Sequence, residues 1–433
     1  MTYTDLPDQG LVFWPVGTGD STTVVVDDTH VLQIDLHDQA AADDDDAVVA
    51  PVIDRLADVL PSSADGKPYL SVFALTHADL DHCRGFGDLL DSEIIIGELW
   101  ATPRLWRELS DDVELGEDGQ RFFDEVDRRV EATLNAVQDG RAPDSGDRVR
   151  IVGYDLEEDT HAYCDLPDEY RAFPGDEITT MDGDDVSAYL SAFVHAPFKN
   201  DCAGERNETS LSLHLTLRHP DHDDTGGVLL FGDLSYETIK KIFTYSNPKR
   251  PERLAWDVML ASHHGSKKVM YAPGDDGEEE LKQDILDLYA GAAGDNGYVV
   301  ISSSPFRDVD PKSANPPHLL ARDAYDSIAP SGVLCTGEYP DPHDPRPVVF
   351  GLVDGVGLQL LEVDDDSDAG ERAATGTTGA KILKRLALTA AVGGVAVAAR
   401  HGRRKGLQGA RNAVTAARGG EPESLPAVGF GQE

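Results

Sequence analysis

The stretch Leu75-Thr-His-Ala-Asp-Leu-Asp-His82 sets four side chains able to hold a cation, His77, Asp79, Asp81 and His82, within six residues. Two imidazoles and two carboxylates make a mixed nitrogen and oxygen set suited to one or two divalent cations. The apolar run Leu70-Ser-Val-Phe-Ala-Leu75 just before them reads as a buried strand. The donors therefore stand where a strand gives way to a loop, the place where a rigid scaffold aims side chains. Two more apolar runs end in the same way: Val228-Leu-Leu-Phe231 runs into Gly232-Asp233, and Val258-Met-Leu-Ala261 into Ser262-His263-His264-Gly265-Ser266. A two-cation hydrolytic centre needs an anionic oxygen bridging ions about 3.5–4 Å apart, and Asp233 has the type and setting for that bridge. The competing reading is a solvated acidic loop, because Asp is so frequent here that carboxylates fall beside histidines by accident. Three strand ends that each deliver a donor weigh against it.

The order strand, His-x-Asp-x-Asp-His, strand, Gly-Asp, strand, His-His-Gly-Ser resembles the metallo-β-lactamase superfamily, and within it the hydrolase domain of DNA-internalisation competence proteins of ComEC type. Val16-Gly-Thr-Gly-Asp-Ser21, then Thr-Thr-Val-Val-Val26 and Leu32-Gln-Ile-Asp35, is similar to that group's opening hairpin and following strand. Asn207-Glu-Thr-Ser-Leu-Ser-Leu213 resembles the Asn-x-x-Ser-Leu strand that in the subgroup replaces a histidine motif, and Val299-Val-Ile-Ser302 with Asn315-Pro-Pro-His318 resembles its last strand and Asn/His/Pro-rich loop. The likeness spans roughly residues 11 to 360.

The resemblance implies an α/β (α+β) fold, a metallo-β-lactamase-like αββα sandwich of two mixed sheets with outer helices and the metals at one edge. It implies that His77 and Asp79 serve a first metal, that Asp81, His82 and His263 serve a second, and that Asp233 bridges them. Two departures matter: Asp79 and Asn207 stand where the superfamily usually has histidines. Oxygen donors harden the first site, which turns the expectation from Zn alone to Zn or Mn, with Mg a further candidate, bound as one ion or two. The implied activity is metal-dependent hydrolysis, first of a phosphodiester such as DNA, through a metal-bound hydroxide oriented by Asp81 or Asp233. Lys267, Ser266 or His264 would face the departing oxyanion. Hydrolysis of a carboxylic ester, lactone or thioester on the same metals is the alternative, and a non-catalytic binding or regulatory module with a depleted first site is the third reading.

Neighbouring residues divide between chemistry and packing. Of His263 and His264 the first is the favoured ligand, leaving His264 to face the substrate or to pack under Gly265. His195 reads as a packed or loop histidine. Asp35 and Asp20 can accept the second N–H of ligating imidazoles, although Asp20 also suits an ordinary turn. Ser210, Ser266 and His318 are candidate phosphate or leaving-group contacts, or else caps and loop packing. Gly17-x-Gly19 lacks the third glycine, the lysine and the helix of a nucleotide loop.

Asp and Glu number 80 against 37 Lys and Arg, a formal charge of −43, yet 40% of the 433 residues are hydrophobic. A chain this apolar folds, and its acidic surface resembles that of haloarchaeal proteins. In molar salt the Debye length is roughly 3 Å, so the charge does not exclude DNA as a partner. Cys83, Cys164, Cys202 and Cys335 are far apart and form no Cys-x-x-Cys pair. The first residues show neither the basic region nor the apolar core of a signal peptide, an expectation of a cytoplasmic body.

About a dozen candidate strands place one hydrolase domain at residues 1–362, with a helical insertion at about 104–140 that lies over the sheet edge or rims the site. Lys240, Lys241, Lys249, Arg250 and Arg253 form its densest basic patch, and Lys267-Lys268 follows His-His-Gly-Ser; both are candidate phosphate contacts. Residues 363–380 read as an acidic, Gly/Thr-rich linker. Residues 381–433 reverse the charge, with nine Lys and Arg against three Glu, around an apolar segment of 14 residues at 386–399. That segment is short of the ~20 residues of a spanning helix, so the tail reads as a peripheral membrane anchor, an associating helix or a disordered basic tail, and the chain has no multi-span channel.

Overall fold

Side chains alternate across the strands, which is why each sheet buries both faces. Val258 and Leu260 point into one core and Met259 between them into another, and Leu99 and Trp100 part in the same way. The computed structural model describes residues 6–43, 48–110, 115–154, 160–199, 206–221, 223–274, 277–310 and 315–361. Within them a nine-stranded sheet faces a seven-stranded sheet. In spatial order the first runs Gly357–Leu361, Val348–Val353, Gly10–Phe13, Thr22–Val25, Val31–Ile34, Tyr69–Ala74, Ile95–Ala101, Arg148–Val152 and Arg171–Ala172. It is antiparallel as far as Val31–Ile34 and parallel from there on. The second runs Gly332–Cys335, Ala293–Ile301, Trp256–Leu260, Thr225–Leu230, Ser212–Arg218, Leu190–Ala196 and Glu177–Ile178, with its first four strands parallel.

One core lies between the sheets and one lies under the helices on each outer face. Phe73, Phe86 and Phe122 pack together on the first sheet, with Phe86 and Phe122 centroids 4.9 Å apart. Helices Tyr236–Ser246, Gln283–Ala292 and Leu319–Asp326 cover the second through Ile239, Phe243, Tyr289 and Tyr325. The result is an αββα sandwich of two mixed sheets with outer helices.

The expected insertion forms helices Arg104–Ser110 and Glu117–Gln138. The long helix turns Phe122, Val126 and Val130 onto the outer face of the first sheet, while its first turn reaches the segment just after His82, where Asp118 accepts from the Gly85 and Gly87 amides at 2.9 Å. Arg129 on its buried face is matched by Glu125 at 2.8 Å and by the Ile96 and Gly97 carbonyls, as a buried charge requires. Strands outnumber the dozen expected because two-residue pieces such as Arg171–Ala172 have no period to read. Among the described residues no helix is long and apolar enough to cross a membrane. The linker at 363–380 and the basic tail at 381–433 lie outside the described residues, as does Cys202.

Candidate metal centre

Parallel strands deliver their following loops to one rim, which is where ligands bind in open α/β sheets. Tyr69–Ala74 leads into Thr76 to His82, Thr225–Leu230 into Asp233, Trp256–Leu260 into His263 and His264, and Val31–Ile34 into Asp35. Asp20 comes from the hairpin after Gly10–Phe13, and its amide donates to the Asp81 carbonyl at 3.0 Å. Gly19 beside it has φ +157, and a Cβ there would fall 2.0 Å from His37 Nδ1 and 2.7 Å from the Asp81 carbonyl, so only glycine lets the hairpin close on the loop.

Asp233 lies at the middle of the cluster and is buried. Its Oδ1 is 3.2 Å from His82 Nε2 and 3.6 Å from His264 Nε2. Its Oδ2 is 3.8 Å from His77 Nε2 and 3.8 Å from His263 Nε2. Asp81 Oδ2 joins the Oδ1 group, 3.3 Å from His264 Nε2, and Asp79 Oδ2 joins the Oδ2 group, 3.5 Å from His77 Nε2. The choice posed between His263 and His264 thus takes another form, since both reach Asp233, each through a different oxygen. Asp20, His82, Asp233 and His264 place one donor atom each within 4.8 Å of one another.

Buried partners aim these rings. Asp35, held at φ +56, accepts the Thr76 amide on Oδ1 and the Thr76 hydroxyl on Oδ2, each at 2.7 Å, and its Oδ2 is 2.7 Å from His82 Nδ1. Asp20 Oδ1 faces His264 Nδ1 at 3.3 Å. His77 Nδ1 lies 3.0 Å from Thr76 Oγ1 and 3.3 Å from Ser210 Oγ. Those hydroxyls give their hydrogens to Asp35 and to the Asn207 carbonyl, so His77 Nδ1 is the donor, and in the neutral ring the lone pair lies on Nε2. Ser210 Oγ also accepts the Asp233 amide at 3.2 Å.

The donor set fits a divalent cation. Donor atoms about 2.1 Å from a tetrahedral zinc stand roughly 3.4 Å apart, and the contacts around Asp233 fall near that spacing. His77 Nε2, Asp233 Oδ1, Asp20 Oδ1 and His264 Nδ1 are buried without a hydrogen-bond partner, and the Nε2 atoms of His82 and His264 face each other at 3.2 Å. Burial opposes charge on His82, yet Asp233 and Asp35 hold its pKa well above the ordinary imidazole value. Against the same burial, Asp233 and Asp20 hold His264 at about 10. Burial raises Asp233, but His264 and His82 pull it well below the usual carboxylate range. The carboxylates therefore demand positive charge among them, which protons or a cation can provide. His263 and His264 both adopt the left-handed region, with φ 51 at each, and such residues cost about 1–2 kcal/mol apiece.

Other expected residues have different surroundings. Ser266 is buried and caps the next turn, its Oγ accepting the Lys268 amide at 3.4 Å. His318 is buried beneath the loop, its amide donating to Gly265 and its Nδ1 accepting from Lys267 N. Lys267 Nζ pairs with Glu279, Lys240 pairs with Asp284 at 2.8 Å, and Arg253 pairs with Glu177, so these cations are engaged with carboxylates. Asn207 contributes its carbonyl to Ser210. His195 is buried, its Nε2 donating to the Arg253 carbonyl at 2.8 Å. Thr76 and Arg206 were missed by the sequence reading. Arg206 Nη1 donates to Asp79 Oδ1 and to the Ala78 carbonyl, and no pattern around it announces that partner 127 residues away.

No family model and no curated protein matches the chain. Among solved structures, it is similar to the metallo-β-lactamase fold protein YhfI from Bacillus subtilis at 12% identity, covering 76% of this chain and 96% of that one with a TM-score of 0.33. It is similar to Zn(2+)-bound PqqB from Methylobacterium extorquens at 13% identity, covering 76% and 87% with a TM-score of 0.36. It is also similar to the class B3 di-zinc metallo-β-lactamase LRA-12 from an Alaskan soil metagenome, at 14% identity, covering 63% and 84% with a TM-score of 0.28.

Proposed function

We propose that this protein is a metal-dependent hydrolase that cleaves a phosphodiester, with DNA the first candidate substrate. The observation that carries the reading is Asp233, whose two oxygens turn toward two separate sets of imidazole and carboxylate donors. His77, Asp79, Asp81, His82, Asp233, His263 and His264 would hold one or two divalent ions, Zn or Mn, with Mg a further candidate. Ions so held supply Lewis acidity toward a phosphoryl or carbonyl oxygen and lower the pKa of bound water.

The chain's own residues supply position and charge. Asp35 accepts His82 Nδ1–H and so fixes the tautomer that turns the Nε2 lone pair toward Asp233. Thr76 and Ser210 do the same for His77. Asp81 has one oxygen toward His264 and a side chain 40% exposed, which places it to accept a hydrogen bond from an attacking water. Arg206, paired with Asp79 and donating to the Ala78 carbonyl, fixes where that carboxylate stands at the rim. The mixed donor set around Asp233 Oδ2, with Asp79 as a carboxylate, suits a hard ion and a phosphate ligand.

The purified protein should hydrolyse bis(p-nitrophenyl) phosphate in molar KCl with Mn²⁺, and Asp81→Ala and His82→Ala should each abolish it. Cleavage retained in both variants would remove the site assignment. Hydrolysis of a lactone without hydrolysis of the phosphodiester would move the substrate class to carboxylic esters on the same centre.

A further inference from the structure

Two adjacent histidines normally compete for one ion, since a single ion seldom accommodates both rings of such a pair. Here the left-handed backbone at both positions sets the rings nearly perpendicular, 81° apart with centroids separated by 6.2 Å. His264 is fully buried and turns its Nε2 to Asp233 Oδ1 and Asp81 Oδ2. His263 lies on the other side of Asp233, its Nε2 3.8 Å from Oδ2. His77 Nε2 stands 3.8 Å from that same Oδ2 and, though buried, has no hydrogen-bond partner. Asp79 Oδ2 is 3.5 Å from His77 Nε2, while Oδ1 of the same carboxylate goes to Arg206.

Resting on the metal-dependent reading above, we propose that His263 and His264 serve different cations: His264 the one held by Asp81, His82 and Asp233 Oδ1, and His263 the one held by His77, Asp79 and Asp233 Oδ2. Consecutive left-handed residues other than glycine are the backbone form that splits the pair, and local strain of this kind persists where surrounding structure holds it for a function. His263 gives the Oδ2 group its second imidazole. The Arg206 contact draws on the Asp79 charge, so the Oδ2 cation is the weaker of the two.

The test counts metal independently of turnover. Chelator-stripped protein is titrated with Co²⁺, followed by visible d–d absorption and by metal-to-protein ratio after equilibrium dialysis. The wild type should take up two Co²⁺ per chain in two steps. His263→Gly, which keeps the left-handed backbone without strain, should retain the tight step and weaken the second at least tenfold. His264→Gly should weaken the tight step instead. His263→Asn, also at ease in that conformation, repeats the measurement if the glycine variant unfolds by circular dichroism. The proposal is overturned if both steps survive His263→Gly unchanged, or if the two variants weaken the same step. Wild-type protein that binds two Co²⁺ but cleaves no phosphodiester sinks the substrate reading alone, whereas uptake of none overturns both.

Discussion

The two sides of Asp233 are built differently. Around Oδ1, both imidazoles are buried beside carboxylates: Asp35 hydrogen-bonds His82 Nδ1 at 2.7 Å, and Asp20 Oδ1 lies 3.3 Å from His264 Nδ1. Around Oδ2, His77 is backed by the hydroxyls of Thr76 and Ser210, His263 has a side chain 18% exposed, and Asp79 shares its charge with Arg206. A carboxylate behind an imidazole fixes its tautomer and raises its basicity more than a hydroxyl does. The difference teaches that the imidazoles of one half stand against buried carboxylates, whereas those of the other rest on hydroxyls or lie partly at the surface.

The largest effect should come from the residue that the halves share. Asp233→Asn should lower hydrolysis on the order of 10³-fold, the several kcal/mol that a bound cation contributes to charge stabilisation. Metal analysis of the same variant should show loss in both halves; loss confined to one would break the picture of a shared carboxylate.

A second contrast concerns histidines of equal burial. His82 and His264 lie among carboxylates and are pushed up, whereas His195 and His214 lie in the second sheet near backbone carbonyls and burial pushes them down, to about 3 and about 4. For His214 the unfolded chain binds more protons than the folded one between pH 6.5 and about 4. Its contribution is therefore full above pH 6.5 and lost as pH falls through that window, about 3 kcal/mol for a single imidazole. Urea midpoints at pH 7.5 and 4.5 should fall further apart in the wild type than in His214→Gln. Equal losses would remove the neutral-histidine account.

The smallest effect separates the halves. Asp35→Asn should weaken the Oδ1 cation roughly 10- to 100-fold, the usual cost of losing such a backing contact, and leave the Oδ2 cation nearly unchanged. Competition with a fluorescent chelator reads both, and equal weakening would show that the halves are one rigid unit.

Much of this was legible because it is local. His77 to His82 are neighbours in sequence and the apolar runs before them mark strand ends, while the sandwich was expected from the resemblance those motifs carry. The long helix falls within the helical stretch expected at about 104–140, but that Phe122, Val126 and Val130 would cover the outer face of the first sheet did not follow from the sequence. Arg206 beside Asp79 and Glu279 beside Lys267 were not legible, because ion pairs across loops leave no periodic trace.

By itself the sequence determined the donor types, their place at strand ends and the candidacy of Asp233 as the shared oxygen, since these depend on residue identity and short-range pattern. Only the tertiary structure decided which oxygen of Asp233 each histidine meets and which carboxylate stands behind each ring. Those outcomes depend on the backbone dihedrals of His263 and His264 and on the packing of a hairpin against a loop some sixty residues away, which composition and spacing do not encode.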